Sequence, residues 1–259
     1  MQSANLLLSL VQTDIFWEQK EKNLTIYEEK ISSLSGNTYV VVLPEFFATG
    51  FSMNAQLAEP MDGKTVSWMK LMAFKYGLSI AGSAFIKENG TCYNRLVWVK
   101  PDGTILKYNK RHLFSLGEEH KIMDKGDSKL IVEYDQWKIC PMICYDLRFP
   151  IWIRNKELYD VLIFVANWPD TRQNAWTNLL ISRAIENQCY CIGVNRIGED
   201  GNGLKYCGGS VMVDPTGEII GSLGDNEGVL TKSIDRNIIL ETRSKLPFLK
   251  DADKFTLDD

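Results

Sequence analysis

The sequence predicts an α/β protein whose mixed sheets are covered by helices. Three observations carry this. Short, continuously apolar runs such as Val161-Leu162-Ile163-Phe164-Val165-Ala166 read as strands buried on both faces. Helical periodicity alternates with such strands over most of the chain. Turn signals at Glu88-Asn89-Gly90, Pro101-Asp102-Gly103 and Asp214-Pro215-Thr216-Gly217 insert hairpins between the βα units. No Ser/Gly/Pro-rich linker separates the halves. Residues 1–259 therefore read as one domain, with a C-terminal tail from about residue 236.

The elements follow in order. Met1 to Thr13 holds Leu6-Leu7-Leu8-Ser9-Leu10-Val11 without a basic flank or a small-residue cleavage site. It reads as a buried strand over Asn5 to Gln12, not as a signal peptide. A helix is expected over about Trp17 to Leu34, then the strand Tyr39-Val40-Val41-Val42-Leu43, stopped by Pro44. A helix from about Thr65 to Tyr76 ends at Gly77, and Leu78 to Ile86 with Asn94 to Val99 reads as antiparallel meander. In the second half Trp137 to Cys144 is a strand, Arg148 to Leu158 a helix and Val161 to Ala166 a strand. A helix over Arg172 to Gln188 carries Trp176, Leu179, Leu180 and Ala184 on one face. Tyr190 to Asn195 and Ser210 to Val213 are strands. The second half repeats the βα rhythm of the first without a sequence repeat.

Composition narrows the function classes. Hydrophobic residues make up 45% and charged residues 24%, the balance of a soluble globular chain, which excludes disordered, collagen-like and disulfide-stapled classes. Lys plus Arg total 29 against 33 Asp plus Glu, with no long basic run, so a nucleic-acid partner has no electrostatic support. No apolar run reaches the roughly 20 residues of a membrane-spanning helix. Six cysteines (Cys92, Cys140, Cys144, Cys189, Cys191 and Cys207) without a CxxC pair read as reduced thiols in a cytoplasmic protein. Only His112 and His120 are available as imidazole ligands, so no metal and no organic cofactor are expected.

Three stretches do not look like scaffolding. In Leu43-Pro44-Glu45-Phe46-Phe47 a carboxylate follows directly on a buried strand. Desolvation in an apolar, aromatic setting turns a carboxylate toward general-base work. Tyr108-Asn109-Lys110-Arg111-His112-Leu113-Phe114, taken alone, reads as a solvated basic turn. In Ile143-Cys144-Tyr145-Asp146-Leu147-Arg148-Phe149-Pro150 a cysteine stands at a strand-to-helix elbow, where backbone N–H groups favour a thiolate and stabilise an oxyanion. Neither histidine is placed for a Cys-His pair. Glu45 and Lys110 supply a base and a cation instead.

These stretches together resemble the nitrilase, or carbon–nitrogen hydrolase, superfamily. The resemblance extends to Asn167-Trp168-Pro169, Ser182 to Gln188, Val194 to Gly198 and Asp214 to Gly217, in family order over roughly residues 5–235. It implies a four-layer αββα sandwich with internal two-fold symmetry and a dimer or larger homo-oligomer. It also implies a triad of Glu45, Lys110 and Cys144, with the Tyr145 N–H and Lys110 holding the oxyanion. Many members carry a second glutamate between the Lys and Cys motifs. Glu118 and Glu119 compete for it, and Glu119, seven residues before Gly126, fits better.

Within the superfamily the nearest likeness is to the ω-amidases, which hydrolyse the terminal amide of short dicarboxylic acid monoamides such as 2-oxoglutaramate. Tyr145 to Pro150, Asn167-Trp168-Pro169 and Tyr206 to Ser210 carry it. A small-molecule substrate with a free carboxylate needs a cation, for which Arg148 and Arg172 are candidates. Phe114 and Trp168 are candidate pocket walls. The rival readings are another carbon–nitrogen hydrolase (aliphatic amidase, carbamoylase or nitrilase), a scaffold that kept the fold, and a redox-sensing thiol protein.

Overall fold

Alternation along Val40-Val41-Val42 sets the layering of the molecule, because successive strand residues face opposite ways. Val40 and Val42 pack with Leu8, Leu10, Trp98, Met142 and Ile192 in one core, while Val41 packs with Leu24, Ile31, Met69 and Met72 in another. Each such fully buried side chain contributes roughly 1.5–3 kcal/mol before chain entropy is subtracted. The computed structural model describes residues 5–34 and 36–257. The Met1–Ala4 part of the N-terminal strand reading lies outside the described residues.

The first half runs β1 (Asn5–Gln12), α1 (Lys20–Ser32), β2 (Val40–Val42), α2 (Lys64–Tyr76), β3 (Ser79–Glu88), β4 (Thr91–Val99) and β5 (Ile105–Asn109). The second runs β6 (Val132–Tyr134), β7 (Trp137–Ile143), α3 (Pro150–Ile153), β8 (Val161–Val165), α4 (Gln173–Asn187) and β9 (Tyr190–Val194). It continues through β10 (Ile197–Glu199), β11 (Lys205–Cys207), β12 (Ser210–Val213), β13 (Ile219–Gly224), β14 (Gly228–Asp235) and α5 (Arg236–Lys245). One six-stranded sheet has the order β14-β1-β2-β3-β4-β5 and the other β13-β12-β9-β8-β7-β6. Each is parallel at its centre, β1-β2-β3 and β7-β8-β9, and antiparallel at its edges. The βα rhythm read from the sequence is thus a topological repeat. The sheets face each other across the first core; α1 and α2 cover one outer face, and Trp176, Leu180 and Ala184 of α4 the other. The result is an αββα sandwich.

Boundaries shift where side chains take over backbone bonding. Helix α1 begins at Lys20 rather than near Trp17, because the Asn23 side chain accepts the Phe16 N–H and donates to the Phe16 and Ala48 carbonyls. The expected helix over Arg148 to Leu158 is corrected. A 3-10 turn over Cys144–Arg148 and the four-residue α3 replace it. Asn155 then accepts the Tyr159 N–H and donates to its carbonyl, and Leu158 takes a left-handed φ of 55°. The segment read as a tail carries α5, capped by the Asp235 side chain on the Asn237 N–H and reached by Gln188 at the Leu246 carbonyl. No helix among the described residues is long and apolar enough to cross a membrane.

Candidate active site

The C-terminal ends of β2, β7 and β8 deliver Glu45, Cys144 and Asn167, and the end of β5 delivers Lys110. Ligand crevices of parallel sheets form at such strand ends. Two of the turns are sharp. Cys144 has φ 42° and Phe46 has φ 45°, left-handed values that cost an L-residue roughly 1–2 kcal/mol each. Local bonds hold both: the Phe46 N–H donates to Ser83 Oγ at 2.9 Å, and the Ile143 N–H to Asp146 Oδ2 at 3.1 Å. Buried Asp146 also accepts the Tyr108 hydroxyl at 2.8 Å and the His112 N–H at 3.0 Å. It thereby fastens the loop bearing Lys110 to the elbow bearing Cys144.

Lys110, Glu45, Glu119 and Asn94 meet fully buried. Lys110 Nζ donates to Glu45 Oε1 and to Glu119 Oε2, both at 2.9 Å. The Asn94 amide bridges the carboxylates, from Nδ2 to Glu45 Oε1 at 2.7 Å and to Glu119 Oε1 at 2.8 Å. The Asn167 N–H donates to Glu45 Oε2 at 2.9 Å, and the Phe114 N–H to Glu119 Oε2 at 2.7 Å. Burial opposes the charge on Lys110, but the Glu119 and Glu45 carboxylates outweigh it and hold the ammonium above the ordinary lysine range. Burial pushes Glu119 above the usual carboxylate range, with Lys110 acting against the shift.

Burial also pushes the Cys144 thiol well above its ordinary value; the Glu45 charge adds to that and Lys110 opposes it. The elbow read from the sequence favours a thiolate, whereas burial in the structure acts in the opposite direction. Desolvation here outweighs a five-residue 3-10 turn. The thiol points at the Asn167 carbonyl, 3.9 Å away. Cys140, Cys189 and Cys191 are buried thiols that burial likewise pushes up.

Above Cys144 and Lys110 opens a cavity of about 570 Å³. The structure places Phe114, Tyr145, Arg148, Trp168 and Arg172 on its wall. Glu118 stands at the rim, paired with Lys121 at 2.6 Å, while Glu119 turns inward to Lys110. Arg95, Arg111, Arg154, Arg183, Arg196, Arg236 and Arg243 each hydrogen-bond a carboxylate or carbonyl. Only Arg148 and Arg172, among the described residues, show no such bond; their guanidiniums lie over the Trp168 ring at 4.7 Å and the Phe114 ring at 5.3 Å. No group of three or more His, Cys, Asp or Glu among the described residues is placed to hold a metal.

A sequence profile described as Carbon-nitrogen hydrolase matches residues 7–244. The chain belongs to this family. It is 39% identical to the omega-amidase YafV of Escherichia coli K12, over 97% of this chain and 98% of that one. It is 36% identical to the 2-oxoglutaramate amidase of Bacillus subtilis, over 95% and 97%. A crystal structure of XC1258 from Xanthomonas campestris, described as a CN-hydrolase superfamily protein with an arsenic adduct in its active site, superposes with a TM-score of 0.95. That protein is 40% identical over 98% of this chain and 99% of its own.

In this carbon–nitrogen hydrolase the structure brings together Glu45, Lys110, Cys144 and Glu119, all singled out from the sequence. Sequence reasoning missed the Asn94 bridge, the Asp146 clamp, and Trp17, Phe51, Asp200 and Tyr206 on the cavity wall. For Asn94 the available signal was an inward-facing polar residue within a strand; for Phe51 and Trp17 there was none.

Proposed function

We propose that the protein hydrolyses the terminal amide of short dicarboxylic acid monoamides, of the 2-oxoglutaramate and succinamate type, to acid and ammonia. Amide cleavage as such follows from the family and from relatives named as amidases. The finer reading rests on one observation: a buried Glu–Lys–Cys cluster opens into a cavity holding an unpaired guanidinium, Arg148. An unpaired half-buried cation is a preformed carboxylate site.

Glu45 takes the Cys144 proton as the sulfur attacks the amide carbonyl. A buried thiol needs that base at hand, since little thiolate exists beforehand. Lys110 and the Tyr145 N–H stabilise the oxyanion, a contribution of about 3 kcal/mol per donor in comparable sites. The tetrahedral intermediate collapses to a thioester, and the nitrogen leaves as ammonia with the proton from Glu45. Water then gives a proton to Glu45 and attacks the thioester, which releases the acid and the thiol. Glu119 positions Lys110 and balances its charge. Burial pushes the Cys140, Cys189 and Cys191 thiols up, which disfavours a redox-sensing role for these three. With all six cysteines free, we place the reaction in the reducing cytoplasm.

The test compares succinamate with butyramide. Succinamate is expected to react with higher kcat/KM, by up to about 10⁴-fold for a site built around a polar substrate group. Equal values would return the protein to a generic aliphatic amidase.

A further inference from the structure

Arg148 and Arg172, the two arginines without a hydrogen-bonded partner among the described residues, line one cavity. Arg148 ends the 3-10 turn after Cys144, with its guanidinium over Trp168. Arg172 ends the turn ahead of α4, with its guanidinium over Phe114. Stacking on a ring fixes the plane of a guanidinium and leaves its N–H edge as a fork for a carboxylate. The two guanidiniums lie against different rings on different loops, so the cavity presents two separate cations. A second half-buried cation left unpaired beside the first repels it and keeps its desolvation cost.

Acidic groups at the rim do not relieve this. Asp200 is engaged by the Asn202 and Leu204 N–H groups and by the Tyr206 hydroxyl, and Glu118 by Lys121. The cavity volume of about 570 Å³ falls in the range of roughly 300–1,000 Å³ that encloses drug-sized ligands. A five-carbon amide acid leaves much of that space open.

We infer that Arg172 is a second anion subsite, so that beside dicarboxylic acid monoamides the pocket also takes, and prefers, monoamides of tricarboxylic acids, with one carboxylate on each guanidinium. This rests on the amidase reading above and names a substrate class for it.

The experiment measures kcat/KM for succinamate and for the terminal monoamide of propane-1,2,3-tricarboxylic acid, with butyramide as the neutral reference. The enzymes are wild type, Arg148→Met, Arg172→Met and Arg172→Lys. Wild type is expected to favour the tricarboxylic acid monoamide over succinamate by about 10- to 100-fold, the size of one charge-assisted bonded pair. Arg172→Met brings that preference close to parity, Arg172→Lys restores part of it, and Arg148→Met weakens both substrates together. Parity in wild type overturns the second subsite. So does an equal loss on both substrates in Arg172→Met, which means that both guanidiniums grip one carboxylate. Failure of the amidase reading itself looks different: no ammonia from any of the three amides, or butyramide equal to succinamate.

Discussion

Burial raises the Cys144 thiol, so in the proposed mechanism its chemistry depends on a base beside it. Glu45→Gln is expected to form no acyl-enzyme with succinamate by mass spectrometry, while iodoacetamide still labels Cys144. A thioester accumulating at the wild-type rate would contradict the general-base role. Cys144→Ala is expected to abolish turnover and leave urea unfolding intact; Cys140→Ala is expected to cost about 1 kcal/mol of stability, as ordinary core substitutions do, and to keep turnover. Asn94 offers a subtler test. It spends both amide hydrogens on Glu45 and Glu119. Asn94→Asp sets a third carboxylate among them, and like charges raise one another. Beyond a fall in kcat, the acid limb of kcat/KM should move to higher pH; Asn94→Ala should lower kcat without that displacement. Glu45 and Cys144 were legible because each sits in a distinctive run at a strand end; Lys110, in a run that alone reads as a solvated basic turn, was legible only beside them. Asn94 was not, since Cys92-Tyr93-Asn94-Arg95 reads as an ordinary strand whose inward partner is settled only by folding.

At the scale of elements, two joints carry the geometry. Asp146 ties the Lys110 loop to the Cys144 elbow. Asp146→Ala strands the Tyr108 hydroxyl and the His112 N–H, each worth about 1–3 kcal/mol when buried and unmet. A matching loss in urea unfolding, together with a lower kcat, is expected; unchanged kcat would mean the elbow holds itself. Gly193 is the second joint. A Cβ there would come within 2.5 Å of Leu180 and 2.6 Å of Trp176, so α4 packs against β9 only because Gly193 has no side chain. Gly193→Ala should cost about 1–3 kcal/mol by overpacking. Strands and long helices were legible because burial on one or two faces leaves a period in the sequence. The stretch after Arg148 misled for the same reason. Its apolar residues keep helical spacing, but Asn155 and a left-handed Leu158 bind the backbone another way.

For the whole molecule, the buried charge cluster links stability to pH. Folding raises the Lys110 value above that of the unfolded chain. Its contribution is therefore complete below about pH 10, the ordinary lysine value, and is lost as pH rises through the folded value. Lys110→Met leaves two buried carboxylates without their cation, which should cost about 3–5 kcal/mol. Urea unfolding at pH 7, 9 and 11 should show this gap unchanged between the first two and narrower at the third; a gap that widened at pH 11 would reverse the sign. The same cluster also straddles the seam between the sheets. Glu45, Asn94 and Lys110 come from one sheet, Cys144 and Asn167 from the other, and the Asn167 N–H on Glu45 crosses the gap. Turnover is then a gauge of how tightly the halves are clasped. In a urea series read by both ammonia release and far-UV ellipticity, ammonia release should fail first. Such a protein can fall silent while every strand and helix is still in place.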